Sequence, residues 1–307
     1  MGGNLGALAD EVDGQPGVLE RFARRRLPLA RDGAFFVGAG DSYAAALAGF
    51  YSSRGRCTAL DPYVLAANPE FAEDAEVYFI SISGRTSSNA RAAEKVRGHA
   101  RMTTVLTAAE DSRIAGLTDR VVKLPMVYSP RAPGLLSFAL SLLAVLKIAG
   151  EDGAADFGSA LQRARRKKLG FSKGWGTTYF LGNSLAFPAA LYAAAKTYEI
   201  LGSRAHAELL EEFSHLQLFS SRSSDLVNAF ACFDPSGLAG KLGSALARGG
   251  LRSNVIASWG RTPVERLFHA VFVVQLSVLD VARERGLTAP RFLSRRGALK
   301  ASDAMIY

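Results

Sequence analysis

A chain of 307 residues, 49% apolar and 21% charged, is long enough for two domains and far from the composition of a disordered polymer. Its 37 Lys and Arg against 28 Asp and Glu give a formal charge of +9, which suits an anionic ligand. The basic residues are scattered, and the one dense run, RARRKK at 163–168, has no interleaved aromatics, so a solvated helix face accounts for it and no nucleic-acid partner is expected.

Cys57 and Cys232 are far apart and lack metal-type spacing, so no metal site is expected and a reducing cytoplasm is the simplest home. The longest apolar stretch, GLLSFALSLLAVLKIAG (134–150), is short for a membrane span and carries Lys147, so no membrane association is expected. The opening residues have no basic leader and read as no secretory signal.

In chain order, short β-branched or aromatic runs predict strands at 34–38, 56–60, 76–82, 102–107 and 120–124, and Ala-rich stretches predict helices at 16–26, 42–54, 87–99, 111–117 and 134–149. This is the rhythm of a parallel sheet with helices on both faces. Residues 151–172 read as a polar, basic connector. The rhythm then resumes with strand 178–182, helix 185–202, strand 226–231, helix 236–248, strand 253–258 and helix 262–285. Phe36-Val37-Gly38 is followed by Ala45-Ala46-Leu47 at the same spacing as Phe180-Leu181-Gly182 is followed by Ala189-Ala190-Leu191. The repeat predicts two related α/β domains, 1–150 and 173–307.

Open parallel sheets bind ligands beyond the carboxyl ends of their strands, where strand order reverses. Two segments fall at such ends: GAGDSY (38–43) after the first strand and SISGRTS (81–87) after the third. Serines and a threonine there read equally as a turn with a helix cap or as an anion cradle of hydroxyl and N–H donors. A dinucleotide reading of Gly38-x-Gly40, with Asp61 about twenty residues on, lacks the third glycine because Tyr43 stands in its place. Glu199 lies on or beside an apolar helix stripe, either paired with Lys196 one turn back or held for proton transfer.

The two motifs together, Gly38, Gly40, Ser42 and Tyr43, then Ser81, Ser83, Gly84 and Thr86, resemble the SIS (sugar isomerase) family of phosphosugar-binding domains. The layout of the chain is similar to the tandem isomerase module of glucosamine-6-phosphate synthase and to archaeal phosphoglucose/phosphomannose isomerases. The resemblance implies two tandem SIS-type, flavodoxin-like parallel-sheet sandwiches. The second is expected to be trimmed, since few elements fit between 226 and 285. It implies a phosphosugar site at Gly40, Ser42, Ser81, Ser83, Gly84, Arg85 and Thr86. Arg85 departs from the acidic or amide residue usual there, and either contacts the phosphate or points to solvent.

The resemblance also implies catalysis. Glu199 and His215 stand sixteen residues apart, the family's spacing for its catalytic Glu and His, and Glu212 matches a second acid. Aldose–ketose isomerisation moves a proton between C2 and C1 through a cis-enediol, the task of a carboxylate, while a His opens the sugar ring. Pro130-Arg131-Ala132 resembles a segment whose Arg stabilises the enediolate. Arg131 otherwise caps a strand end. The terminal PRFLSRR (290–296) resembles a segment that brings a Lys into the site; here Arg295 or Arg296 stands there, with Lys300 near. The expected function is therefore isomerisation of a 6-phosphosugar by a homodimer with shared active sites and no cofactor. A glucosamine-6-phosphate deaminase, a phosphosugar sensor and an NAD(P) dehydrogenase are the alternatives.

Overall fold

The computed structural model describes residues 4–129 and 131–307; Pro130 of the expected Pro-Arg-Ala segment lies outside them. In chain order the elements are α1 (Leu5–Ala23), β1 (Phe35–Val37), α2 (Asp41–Ser52), β2 (Thr58–Leu60), α3 (Pro62–Ala67), β3 (Glu76–Ile80), α4 (Ser87–Lys95), β4 (Met102–Thr107), β5 (Arg120–Lys123), α5 (Leu136–Ile148) and α6 (Phe157–Ala164). They continue with β6 (Thr178–Leu181), α7 (Ala186–Lys196), β7 (Ala205–Glu208), α8 (Leu210–His215), β8 (Leu226–Phe230), α9 (Leu238–Arg248), β9 (Arg252–Ile256), α10 (Pro263–Glu284) and α11 (Arg296–Ile306).

The α/β class matches the sequence reading. Among the described residues the strands form two sheets, ordered β2-β1-β3-β4-β5 and β7-β6-β8-β9, with every pairing parallel. The second order repeats the first without a counterpart of β5. The chain divides into two compact units, Val18–Ala154 with Arg296–Tyr307 around the five-stranded sheet, and Met1–Gly17 with Ala155–Arg295 around the four-stranded one. Helix α11 thus belongs with the first sheet, and most of α1 with the second.

In the five-stranded unit, Val37, Val77, Phe79 and Val105 from the strands pack with Leu65, Ala92, Val96 and Ile114 on one face. On the other face Gly49 of α2 lets helix and sheet close together. A Cβ there would stand 2.6 Å from Phe36 Cδ2 and from Val145 Cγ1 of α5. Strands buried on both faces must be apolar throughout, which is why FFV and EVYFI lack alternation. The four-stranded unit packs Tyr179, Leu181, Val227 and Ala229 against Leu210, Phe213, Leu242 and Leu246. Its long α10 begins with a Thr262–Glu265 capping box and Pro263.

Several elements depart from expectation for physical reasons. Helix α1 starts at Leu5 rather than 16. Leu5, Leu8, Val12, Leu19 and Phe22 form its buried stripe, and Pro16 is carried inside the helix rather than opening it. Most of 111–117 is turn, with a single 3-10 turn at Ala115–Leu117. The connector contains α6, whose Phe157, Ala160, Leu161 and Ala164 are buried behind an Asp156 cap; the adjoining run of charges hides this stripe. Strand β7 (AHAE) has no β-branched residue and shows no strand signal of its own.

Candidate functional site

The switch point of the first sheet lies between β1 and β3, and the two hydroxyl-rich loops flank it. After β1 the chain turns at Gly38, where a Cβ would come within 2.7 Å of the Ser42 carbonyl carbon. Gly182, after β6, makes the same approach, 2.7 Å to the carbonyl carbon of Ala186, so the sequence repeat corresponds to one repeated strand-to-helix turn. Gly40 caps α2 with φ 59 and ψ −127, a conformation that a side chain would strain, and Ser42 lies in the first turn of that helix.

After β3, Ser81 is 3% exposed, and its N–H donates to Leu106 O at 3.0 Å. Its hydroxyl oxygen is buried with no hydrogen-bond partner among the described residues. Gly84 has φ +62, and a Cβ there would fall 1.9 Å from Ser112 Oγ; both facts demand glycine. Buried Ser83 accepts the Arg85 N–H at 3.3 Å, and Thr86 stands at the amino end of α4 without capping it through its side chain. The loop is therefore a turn, as the plainer reading of the sequence held, but its helix end is uncapped and one buried hydroxyl is unspent.

Arg85 is exposed. Arg131 sits in the segment after β5 with φ 63, an uncommon conformation for a non-glycine residue, and its Nη2 lies 3.6 Å from Asp303 Oδ2 of α11. Ser87 Oγ donates to Ile306 O at 3.0 Å. The Tyr307 phenol, raised above its ordinary value by burial and by Tyr128, also feels Asp303 and Arg85. Asp41, in the first turn of α2, reaches the same segment, since a Cβ on Gly134 would stand 2.5 Å from its Oδ2. Sequence reasoning missed Asp41, Ser87, Tyr128, Asp303 and Tyr307 in this neighbourhood. Asp41 and Ser87 lie inside the GAGDSY and SISGRTS motifs, whereas no local pattern pointed to Asp303 or Tyr307.

Glu199 and His215 belong to the other unit. Helix α7 passes at Lys196 into a π-helical turn, Thr197–Leu201, which Gly202 ends in the left-handed conformation; such turns recur at functional sites. Lys196 is wholly buried, and its Nζ lies 2.5 Å from Glu199 Oε2 and 5.3 Å from the Tyr192 ring centroid. Gln275 of α10 donates to the Tyr192 hydroxyl at 3.1 Å. The pairing of Glu199 with Lys196 is thus real, while the Glu199 side chain is 36% exposed. Lys196, read from sequence only as a salt-bridge partner, is the most deeply placed charge of this group.

His215 ends α8, exposed, with Nε2 3.8 Å from Glu211 Oε1, and Glu212 is exposed beside it. Arg295 caps the 3-10 turn Arg291–Ser294, whereas Arg296 and Lys300 lie on α11. Arg291 packs on Gly202, where a Cβ would meet its Cγ at 2.6 Å. Of the other histidines, His99 pairs with Glu73 at 2.9 Å, His206 lies 3.6 Å from Glu208 and His269 is buried. Among the described residues no three His, Cys, Asp or Glu gather as a metal site, and no helix is long and apolar enough to cross a membrane.

No family model matches the chain, and no curated protein matches it. Solved structures do. Glucosamine-6-phosphate deaminase from Thermotoga maritima aligns over 92% of this chain and 95% of its own, with TM-score 0.73 and 21% identity. Tagatose-6-phosphate ketose/aldose isomerase from Escherichia coli aligns over 93% and 90%, with TM-score 0.68 and 17% identity. The C-terminal domain of glucosamine-fructose-6-phosphate aminotransferase from Francisella tularensis aligns over 92% and 97%, with TM-score 0.64 and 15% identity. At these identities the likeness is one of fold: this chain shares the α/β, parallel-sheet architecture of those proteins along nearly its whole length.

Proposed function

We propose that the protein is a phosphosugar isomerase built as tandem SIS-type sandwiches. Domains 1–150 and 173–307 are joined by 151–172, the second sheet is shortened by one strand, and α1 and α11 are exchanged between the units. The observation that carries the reading is the Ser81 hydroxyl at the switch point, buried without a partner among the described residues, in a turn whose shape requires Gly84. A polar atom buried without a partner costs stability, and a bound phosphate oxygen would satisfy it. Gly40, Ser42, Ser83, Gly84 and Thr86 complete the cradle, with hydroxyls and the uncapped N–H groups of α4 as donors. Arg85 adds charge at its rim.

In this reading Glu199 removes the C2 proton and returns it to C1. His215 opens the ring by transferring the anomeric hydroxyl proton to the ring oxygen, and Arg131 stabilises the enediolate. Lys196 is a positioning residue that holds the Glu199 carboxylate. Arg295 takes the part of the basic residue on a substrate-closing segment. Tyr198, Leu216 and Phe219 are 50%, 59% and 85% exposed around Glu199 and His215, which supports a homodimer in which a second copy covers this surface and shares the active site. The likeness to the Thermotoga maritima deaminase favours glucosamine-6-phosphate deamination as the second reading. Arg131 weighs against it by repelling a protonated C2 amine.

The test offers glucose, mannose, fructose, tagatose and glucosamine 6-phosphates in parallel and follows aldose–ketose interconversion and ammonia. Interconversion of a neutral sugar phosphate is the expected result. Ammonia release from glucosamine 6-phosphate alone assigns the deaminase, and binding without turnover of any of them assigns a sensor.

A further inference from the structure

We infer that helix α11 occupies the ligand's place at the cradle, and that Ser87 and Arg131 are ligand contacts which Ile306 and Asp303 now engage. The inference rests on the phosphosugar reading above.

Two polar contacts to α11 run the same way, from a donor beside the cradle to an α11 acceptor. Ser87 Oγ donates to the Ile306 carbonyl at 3.0 Å, and the Arg131 guanidinium faces the Asp303 carboxylate at 3.6 Å. A sugar phosphate offers these same donors what α11 offers, anionic and hydroxyl oxygens. The spacing fits as well. Positions 303 to 306 span about 4.5 Å along a helix axis, and within that length α11 meets Arg131 and the first turn of α4. That is shorter than a phosphorylated hexose.

The helix is also weakly held. None of its residues is buried, and Met305 is 69% exposed. The Arg131 and Asp303 side chains are 62% and 39% exposed, and exposed ion pairs contribute little. A ligand that also satisfies Ser81 and the α4 N–H groups makes more contacts than α11 does and displaces it. A cover that closes over bound ligand would behave in the opposite way, and hydrogen exchange separates the two.

The experiment follows backbone exchange in the full chain with and without glucose 6-phosphate. Ligand should slow exchange across 81–90 and speed it across 296–306. Asp303→Asn should speed exchange across 296–306 without ligand, and should tighten glucose 6-phosphate binding by roughly two- to fivefold in calorimetry. Protection of 81–90 with slowed or unchanged exchange in 296–306, or weaker binding by Asp303→Asn, overturns this inference and leaves the phosphosugar reading standing. No protection of 81–90 by any of the five sugar phosphates overturns both.

Discussion

The Lys196 ammonium, wholly buried, lies 2.5 Å from the half-exposed carboxylate of Glu199. A charge taken out of water needs a partner, and removing one member of such a pair costs more than replacing both. Glu199→Gln keeps the shape and an acceptor oxygen but removes the negative charge and the basicity. It should lower stability by about 1–3 kcal/mol and turnover at least about a hundredfold. The double variant Lys196→Met/Glu199→Gln should recover stability in urea denaturation without recovering turnover. Normal turnover in Glu199→Gln would make the pair structural only.

Ser81 and Ser83 separate binding from folding. The Ser81 hydroxyl has no partner to lose among the described residues, so Ser81→Ala should leave the melting temperature unchanged or slightly raised. It should weaken phosphosugar binding by about 1–3 kcal/mol, the loss of a donor to a charged group. Ser83 accepts the Arg85 N–H, so Ser83→Ala should cost both binding and some stability. Calorimetric titration and thermal melts of the two variants check this. Unchanged affinity in Ser81→Ala would remove the phosphate from this turn.

Much of this was legible in the chain. The strands that lead into the two loops are continuous apolar runs, and the glycines that shape those loops stand where backbone, not side chain, must fit, so order and spacing located both loops. The repeat was visible because Gly38 and Gly182 answer the same steric demand four residues before a carbonyl. Other parts were hidden because no local pattern encodes them. β7 is strand only through its pairing with β6, and the full burial of Lys196 comes from tertiary packing that its own helix does not encode. Asp303 meets Arg131 across 172 positions (303 − 131). Long-range polar contacts of this kind leave no periodicity in the sequence.

Gly84 tests the shape of the loop directly. Its φ of +62 and the 1.9 Å approach of a Cβ to Ser112 Oγ add separate penalties, one conformational and one steric. Gly84→Ala should destabilise by about 2–4 kcal/mol. Gly84→Ala/Ser112→Gly should regain the steric part and retain the conformational part, about 1 kcal/mol. Denaturation curves that show no regain in the double variant would place the cost entirely in the backbone.

His269 predicts a pH dependence unrelated to the site. Its side chain is 1% exposed on α10, its Nε2 has no partner among the described residues, and the Trp259 ring lies 6.2 Å away. Burial, with a smaller contribution from the Lys167 charge, pushes its pKa down to about 4 from 6.5. Between these values the unfolded chain binds a proton that the folded chain refuses, so stability is full above about pH 6.5 and falls as pH drops toward 4. The whole shift corresponds to roughly 3 kcal/mol. Asp119, Asp156, Asp234 and Glu265, whose pKa values are lowered mainly by hydrogen bonds against the pull of desolvation, act in the same direction but only below about pH 4.5, their ordinary range. The interval from 4.5 to 6.5 therefore isolates the histidine. Urea denaturation across that interval should give a rising stability with pH for the native chain and a flatter profile for His269→Leu. Parallel profiles for the two would mean that His269 is protonated inside the fold and that Nε2 finds an acceptor there.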